Sequence, residues 1–323
     1  MKRIVVGLVI SGFFLYLVLR QIDLNSLTRS FSQVNYLVVL AAIGFHFIGF
    51  HLRALRWKYL LMTFKKIRVR QLFPYLAIGY IANNVLFLRL GEVVRAHVVG
   101  LSYELSRSSM LAVILAERLY DGLSLVLFLG FLILILPLPN SLATPLIFAS
   151  LLFGAVAAGV FSLPFIEKTR PVRWFFSLFE KNSKLNRLLV SLMAFLEGLK
   201  TLKSFRSVLL VLLSSLVIWG IEAGMFWIIA QSFSLSLSLS QCALIALVVG
   251  LSTLIPSGPG YVGTYEFFFV QIATSFGVER NLAVSYAFIT HFAQWLPITL
   301  VGFYYAWKMN ISLLKLSKGK KVQ

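Results

Sequence analysis

Acidic residues and cysteine are both scarce in this sequence. Eleven Asp+Glu stand against 30 Lys+Arg, and there is one cysteine, Cys242. A single thiol excludes a disulfide framework and a cysteine-rich zinc site. Four scattered histidines (His46, His51, His97 and His291) give little from which to build a metal cluster. No metal and no cofactor is therefore expected. No G-x-x-x-x-G-K-[ST] run is present, so nothing points to ATP. Charge of either sign is thin: 13% of residues are charged and 59% are apolar, with a mean hydropathy of +0.88. Soluble domains are about a quarter charged and roughly half apolar. The surplus of apolar surface is more than a water-facing fold can hide, and it predicts an integral membrane protein. A formal charge of +19 would suggest nucleic acid in a soluble domain. In so apolar a chain, cytoplasmic loops facing anionic lipid account for it, and no nucleic-acid partner is expected.

Six segments are long and apolar enough to cross a bilayer as helices: about 4–20, 34–52, 111–136, 145–163, 208–230 and 283–307. The first follows Met1-Lys2-Arg3 and has no small-residue cleavage site, which predicts a retained anchor. Basic residues then set the orientation. Arg53, Arg56, Lys58, Lys65, Lys66, Arg68 and Arg70 follow the second segment. Nine more Lys and Arg lie in 164–206, and Lys315, Lys318, Lys320 and Lys321 lie in the tail 311–323. The stretches 137–144 and 231–240 carry no charge. The positive-inside rule places both termini in the cytoplasm of a multi-pass protein in the plasma or inner membrane.

This parity requires 71–107 to leave the cytoplasm and return, and 241–277 to do the same from the other side. The first contains Pro74 and Asn83-Asn84, followed by Arg89, Gly91, Glu92 and Arg95. The second is interrupted at Pro256-Ser257-Gly258-Pro259-Gly260, ahead of Gly263 and Glu266. Prolines and glycines there break regular helices. Non-helical backbone at membrane depth needs cover from protein or water. The expected fold is thus an all-α polytopic bundle of about six full spans plus two re-entrant or broken-helix hairpins. It forms one domain over 1–310, with 311–323 as a basic tail. Each half (about 1–140 and 141–310) has the order span, span, hairpin, span, in opposite orientation. Inverted repeats with broken helices at mid-membrane are a transporter plan.

Ionisable residues inside spans are expensive and usually functional. Glu117, Arg118 and Asp121 share one segment, with Glu117 and Asp121 four apart on one face and Arg118 within reach of Asp121. A helix starting near Ser108 would set them about 15 Å from its start. Two uses fit: a clamp holding this helix to the first hairpin, and a transport site. Arg89 and Arg95 suit a lipid phosphate, because guanidinium makes paired planar contacts to phosphate oxygens; the competing expectation is that they pair only with Glu92, Glu117 or Asp121. Arg53, Arg56 and Trp57 read as interface anchoring. Glu222 has no basic neighbour in sequence. A half-helix starting near Gly263 would aim its positive end inward, to hold an anion or to be neutralised by Glu266. His291 and Gln294, one turn apart, read as a helix–helix hydrogen-bonding pair.

Four motifs in order carry a resemblance: Arg53-Ala-Leu-Arg56-Trp57; Asn84…Arg89-Leu-Gly91-Glu92…Arg95; Glu117-Arg118…Asp121; and Pro256…Pro259-Gly260…Gly263…Glu266. Over about 1–310 the chain resembles the lysylphosphatidylglycerol synthase transmembrane, or flippase-like, family of bacterial and archaeal membrane proteins. One departure is Phe87, where the family often has Pro. The resemblance implies a group whose fused members move an aminoacylated phospholipid between leaflets and carry a soluble aminoacyl-transferase domain. Only a basic tail follows the membrane part here, so lysyl transfer is not expected.

The leading expectation is a translocase for a phospholipid or lipid-linked headgroup, not an enzyme. Arg53, Arg56, Asn84, Arg89, Glu92, Arg95, Glu117, Arg118, Asp121 and Glu266 are its candidate headgroup residues. Pro74, Gly91, Pro256, Gly258, Pro259, Gly260 and Gly263 are its candidate hairpin breaks. A serine hydrolase using Ser257 and His291 is disfavoured because the G-x-S-x-G elbow is absent. The alternative is a non-catalytic scaffold that recruits a separate cytosolic synthase or glycosyltransferase through the amphipathic, aromatic and basic stretch 164–206.

Overall fold

A computed structural model describes residues 2–20, 22–86, 90–136, 140–166 and 205–311. The expectations at Phe87, at Arg89, for most of the amphipathic stretch (167–204) and for the tail from 312 lie outside the described residues.

The described residues are helical, with no strand among them. In chain order they form α1 (Lys2–Leu19), α2 (Leu24–Ser32), α3 (Tyr36–Leu61), α4 (Val69–Val85), α5 (Gly91–Tyr103), α6 (Arg107–Ile135), α7 (Asn140–Ile166), α8 (Phe205–Ser232), α9 (Leu239–Ser252), α10 (Thr264–Ser275) and α11 (Arg280–Lys308), with a short 3-10 turn at Pro259–Tyr261. Three stretches are long and apolar enough to cross a membrane: Tyr36–Leu61, Arg107–Ile135 and Val208–Ser232. Shorter apolar stretches lie at Val5–Leu19, Ala143–Val156 and Leu239–Ser252. The chain is an all-helical integral membrane protein. Leu37, Leu134, Phe148 and Leu151 are exposed on its helices, as residues facing lipid tails must be.

Local chemistry explains where helices start and stop. Asp23 caps α2, accepting from the amides of Asn25 and Ser26. Ser106 caps α6 and Ser238 caps α9, the latter in a reciprocal box with Gln241. The first hairpin is two helices, α4 and α5. Pro74, expected to break it, instead lies inside α4. Pro74 sits early in that helix, so the one bond it forgoes leaves only the Arg70 carbonyl near the N-terminus, and the helix continues. The break falls after Val85. Gly91 opens α5 with its amide donating to Asn83 Oδ1 at 2.7 Å. A Cβ at Gly91 would run into the Gly79 carbonyl oxygen and the Asn83 side chain, so only glycine permits that approach. The second hairpin breaks as expected, between α9 and α10. Gly258 caps the 3-10 turn, Gly260 has φ 67°, and Gly263 has φ 91° at the N-cap of α10.

The chain divides into two compact units. The first comprises Met1–Leu52, Leu76–Val94 and Val217–Gln323; the second comprises Arg53–Tyr75 and Arg95–Leu216. In the first unit, α10 packs against α1, α9 and α11, and α2 packs against α11. Phe269 stacks on Phe226 and meets Tyr286 edge-on, filling the space with aromatic rings. Asn84 donates to Thr299 Oγ1 at 2.7 Å, and Ser11 Oγ accepts from the Gly258 amide at 2.7 Å. Such polar ties and close backbone approaches hold helices together where lipid removes the hydrophobic drive between them. In the second unit α6 packs against α7, with the Phe153 ring set against Gly122. Ser124 donates to the Leu212 carbonyl at 3.4 Å, tying α6 to α8.

Candidate functional site

The second unit contains a knot of five charges. Glu117 and Asp121 project from α6 one turn apart, as their spacing predicts. Both meet Arg56 of α3: its Nη2 donates to Glu117 Oε1 at 2.9 Å and to Asp121 Oδ2 at 3.0 Å, and its Nη1 donates to Asp121 Oδ1. Nη1 also donates to Ser215 Oγ of α8 at 2.6 Å. Arg95 of α5 donates from Nη2 to Glu117 Oε2. Arg118 donates to Glu117 Oε1 at 2.9 Å and lies 3.6 Å from Asp121. The Arg95 guanidinium sits 4.2 Å above the buried Trp57 ring, a cation–π contact. One carboxylate thus serves three guanidiniums, and four helices contribute.

Burial is graded. The side chains of Arg56 and Glu117 are 0% exposed, Asp121 is 16% exposed and Arg118 is 38% exposed. Placing so many charges out of water costs several kcal/mol each unless each is met by opposite charge and hydrogen bonds. Among the described residues, three guanidiniums stand against two carboxylates, a formal +1. Arg56 Nε and Arg95 Nε are buried N–H donors with no acceptor among the described residues. Arg118 is the most accessible member of the arrangement.

The interface-anchor reading of Arg56 and Trp57 is corrected by this geometry. Both are fully buried, because Arg56 finds its carboxylates on α6, 61 and 65 residues later in the chain. Arg53 lies half-buried one turn earlier on α3. Glu92 and Asn84 are placed elsewhere, in the first unit. Glu92 accepts from Asn83 Nδ2 at 3.4 Å, and Asn84 is the buried partner of Thr299. Ser215 was not legible as a site residue; one serine in an apolar span has many uses.

The first unit has a polar group of its own. Glu266 accepts from the Gly263 amide at 2.6 Å, so the start of α10 is neutralised by its own carboxylate. Its other oxygen lies 2.5 Å from His291 Nδ1. Gln294 donates to Glu222 at 2.9 Å and accepts from the Tyr265 hydroxyl at 2.6 Å, so the reading of His291 and Gln294 as helix–helix links holds. Glu222 does meet a base after all: His46 of α3 lies 3.2 Å away. No nucleophile–base pair forms at Ser257, whose hydroxyl has no hydrogen-bond partner among the described residues, while His291 faces Glu266. Among the described residues, no group of three or more His, Cys, Asp or Glu is placed to hold a metal ion.

The model of the lysylphosphatidylglycerol synthase TM region matches residues 4–302. A "UPF0104 membrane protein" of Methanothermobacter thermautotrophicus is 24% identical over 294 residues, covering 86% of this chain and 85% of that protein. The chain belongs to the lysylphosphatidylglycerol synthase transmembrane-region family.

Proposed function

We propose that this family member moves an anionic phospholipid or lipid-linked headgroup between membrane leaflets. It spans the plasma or inner membrane several times with both termini in the cytoplasm. The observation that carries the reading is the buried knot on α3, α5, α6 and α8, where three guanidiniums meet two carboxylates among the described residues and the buried Nε–H groups of Arg56 and Arg95 find no acceptor there. Such a site is stabilised by one more negative charge, and a phosphodiester supplies it with planar oxygen pairs that suit guanidinium. Arg118 meets the phosphate first, Arg95 and Arg56 hold it, and Glu117 and Asp121 fix the three arginines in place. Membership of a family described by a synthase's membrane region supports a lipid as the cargo. The activity proposed is movement; lysyl transfer is not part of it.

The test is leaflet exchange in reconstituted vesicles. Fluorescent phosphatidylglycerol or phosphatidylcholine is quenched from outside in the presence of wild type, Arg118→Gln or no protein. Faster exposure of inner-leaflet phosphatidylglycerol with wild type, slowed in Arg118→Gln, supports the reading. Rates equal to those of protein-free vesicles, or no difference between wild type and the variant, overturn it.

A further inference from the structure

The knot that holds the headgroup leaves unused the second polar group, on α3, α8, α10 and α11. It contains two imidazole–carboxylate pairs. In one, His46 Nδ1 lies 3.2 Å from Glu222 Oε2; in the other, His291 Nδ1 lies 2.5 Å from Glu266 Oε1. All four side chains are at least nine-tenths buried. Tyr265 stands between the pairs. Its hydroxyl donates to Gln294, which donates to Glu222, while its ring stacks on His291 with centroids 4.0 Å apart. Among the described residues, three other titratable groups of these and neighbouring helices make contacts of their own. Tyr286 of α11 donates to the Phe226 carbonyl and lies 3.8 Å from Cys242 of α9, and Arg280 donates to the Leu17 carbonyl of α1.

Charge decides what this group can do. With both histidines neutral and both carboxylates ionised the cluster carries a formal −2, which is costly in a membrane interior. Each proton taken up removes one unit. His46 Nδ1 is close to Glu222 but makes no aligned hydrogen bond among the described residues. A proton on that nitrogen would convert the contact into a charge-assisted bond. A proton on His291 would place a cation over the Tyr265 face. Gln294 is an amide and does not readily pass a proton on, so it fixes Glu222 in place, and each pair takes its proton separately. Buried His and carboxylate groups of this kind are the material of proton relays in membrane proteins.

We propose that the His46–Glu222 and His291–Glu266 pairs are a proton-binding site, and that proton uptake and release there drive headgroup movement at the arginine knot. Each step balances simply. Uptake moves one proton from water to an imidazole–carboxylate pair and changes its charge from −1 to 0, and release returns that proton to water. The coupling rests on the translocase reading; the proton site does not.

Two measurements separate the two. Infrared titration of the purified full chain in detergent reads carboxyl and imidazole protonation without lipid movement. We expect the carboxyl and imidazole bands to change with pH while the chain stays folded. That change should lose about half its amplitude in Glu222→Gln or in His46→Gln, since each removes one of the two pairs, while size-exclusion elution is retained. A spectrum that does not change with pH, or one that both variants leave intact, overturns the proton site. Lipid exchange is then measured in vesicles with the interior acidic, with the exterior acidic, and without a pH difference. A rate that follows the direction of the gradient in wild type but not in Glu222→Gln supports coupling. Exchange indifferent to the gradient overturns the coupling. Absence of exchange under every condition overturns the translocase reading and leaves the infrared result standing.

Discussion

Replacing Glu117 by Gln keeps the size of the side chain and one acceptor oxygen, but removes the charge that three guanidiniums share. Arg56 approaches one oxygen at 2.9 Å, Arg118 approaches the same oxygen at 2.9 Å, and Arg95 takes the other. The knot would go from a formal +1 to +2. Each lost attraction at about 4 Å is worth up to roughly 4 kcal/mol at an effective dielectric of about 20. Relief of the desolvation cost of Glu117 offsets several kcal/mol of this. Breaking a buried pair by removing one partner costs about 3–5 kcal/mol, and that is the expected loss here. At about 2–4 °C per kcal/mol for chains somewhat shorter than this one, Tm in detergent should fall by roughly 10 °C. Arg118→Gln is the internal comparison. Its side chain is 38% exposed and its pairing is screened, so it should cost about 0–1 kcal/mol and move Tm by roughly 0–3 °C. Scanning fluorimetry on both variants reads the contrast. Equal shifts, or a Glu117→Gln protein that melts with wild type, would show that Glu117 does not hold the three guanidiniums out of water.

Other expectations follow from the same structure. Gly91→Ala drives a Cβ into the Gly79 carbonyl and should cost about 1–3 kcal/mol as overpacking, seen as a lower Tm and reduced monodisperse yield; an unchanged Tm would mean α4 and α5 are not so close. The Ser26 hydroxyl and the amides of Ser26 and Asn25 hold the Asp23 carboxyl below its ordinary range. Because the folded value is depressed, the stability it adds is complete above the unfolded value of about 3.9 and is lost as pH falls through the folded value. The Tm difference between wild type and Asp23→Asn should therefore stay constant at neutral pH and change only in acid; a change near pH 7 would contradict this. Lys66→Cys, in a Cys242→Ala background, should react with an impermeant maleimide only from the cytoplasmic side. Labelling from outside would reverse the orientation.

The helices and their breaks were readable because hydropathy, proline and glycine act locally. Pro256 to Gly263 cannot continue a helix, and α10 begins at Thr264 as the sequence implies. Pro74 misled because a proline near a helix start removes little. The acid pair Glu117 and Asp121 was readable from its spacing of four. Its deepest partner was not. Arg56 follows an apolar span and precedes a basic loop, the same setting as an interface anchor, and only tertiary packing brings Ser215 and α6 to it. His46 escaped notice for a similar reason: a lone histidine in an apolar helix carries no signal until Glu222 of α8 is placed beside it.

Whether the arginine knot holds an anionic headgroup is decided by native mass spectrometry of the full chain, released from micelles holding phosphatidylglycerol and phosphatidylcholine in equal amounts. Wild type should retain phosphatidylglycerol and Arg118→Gln should lose most of that adduct, with the zwitterionic lipid indifferent to the substitution. Equal retention of both lipids, or phosphatidylglycerol held as well by the variant as by wild type, would contradict headgroup binding there.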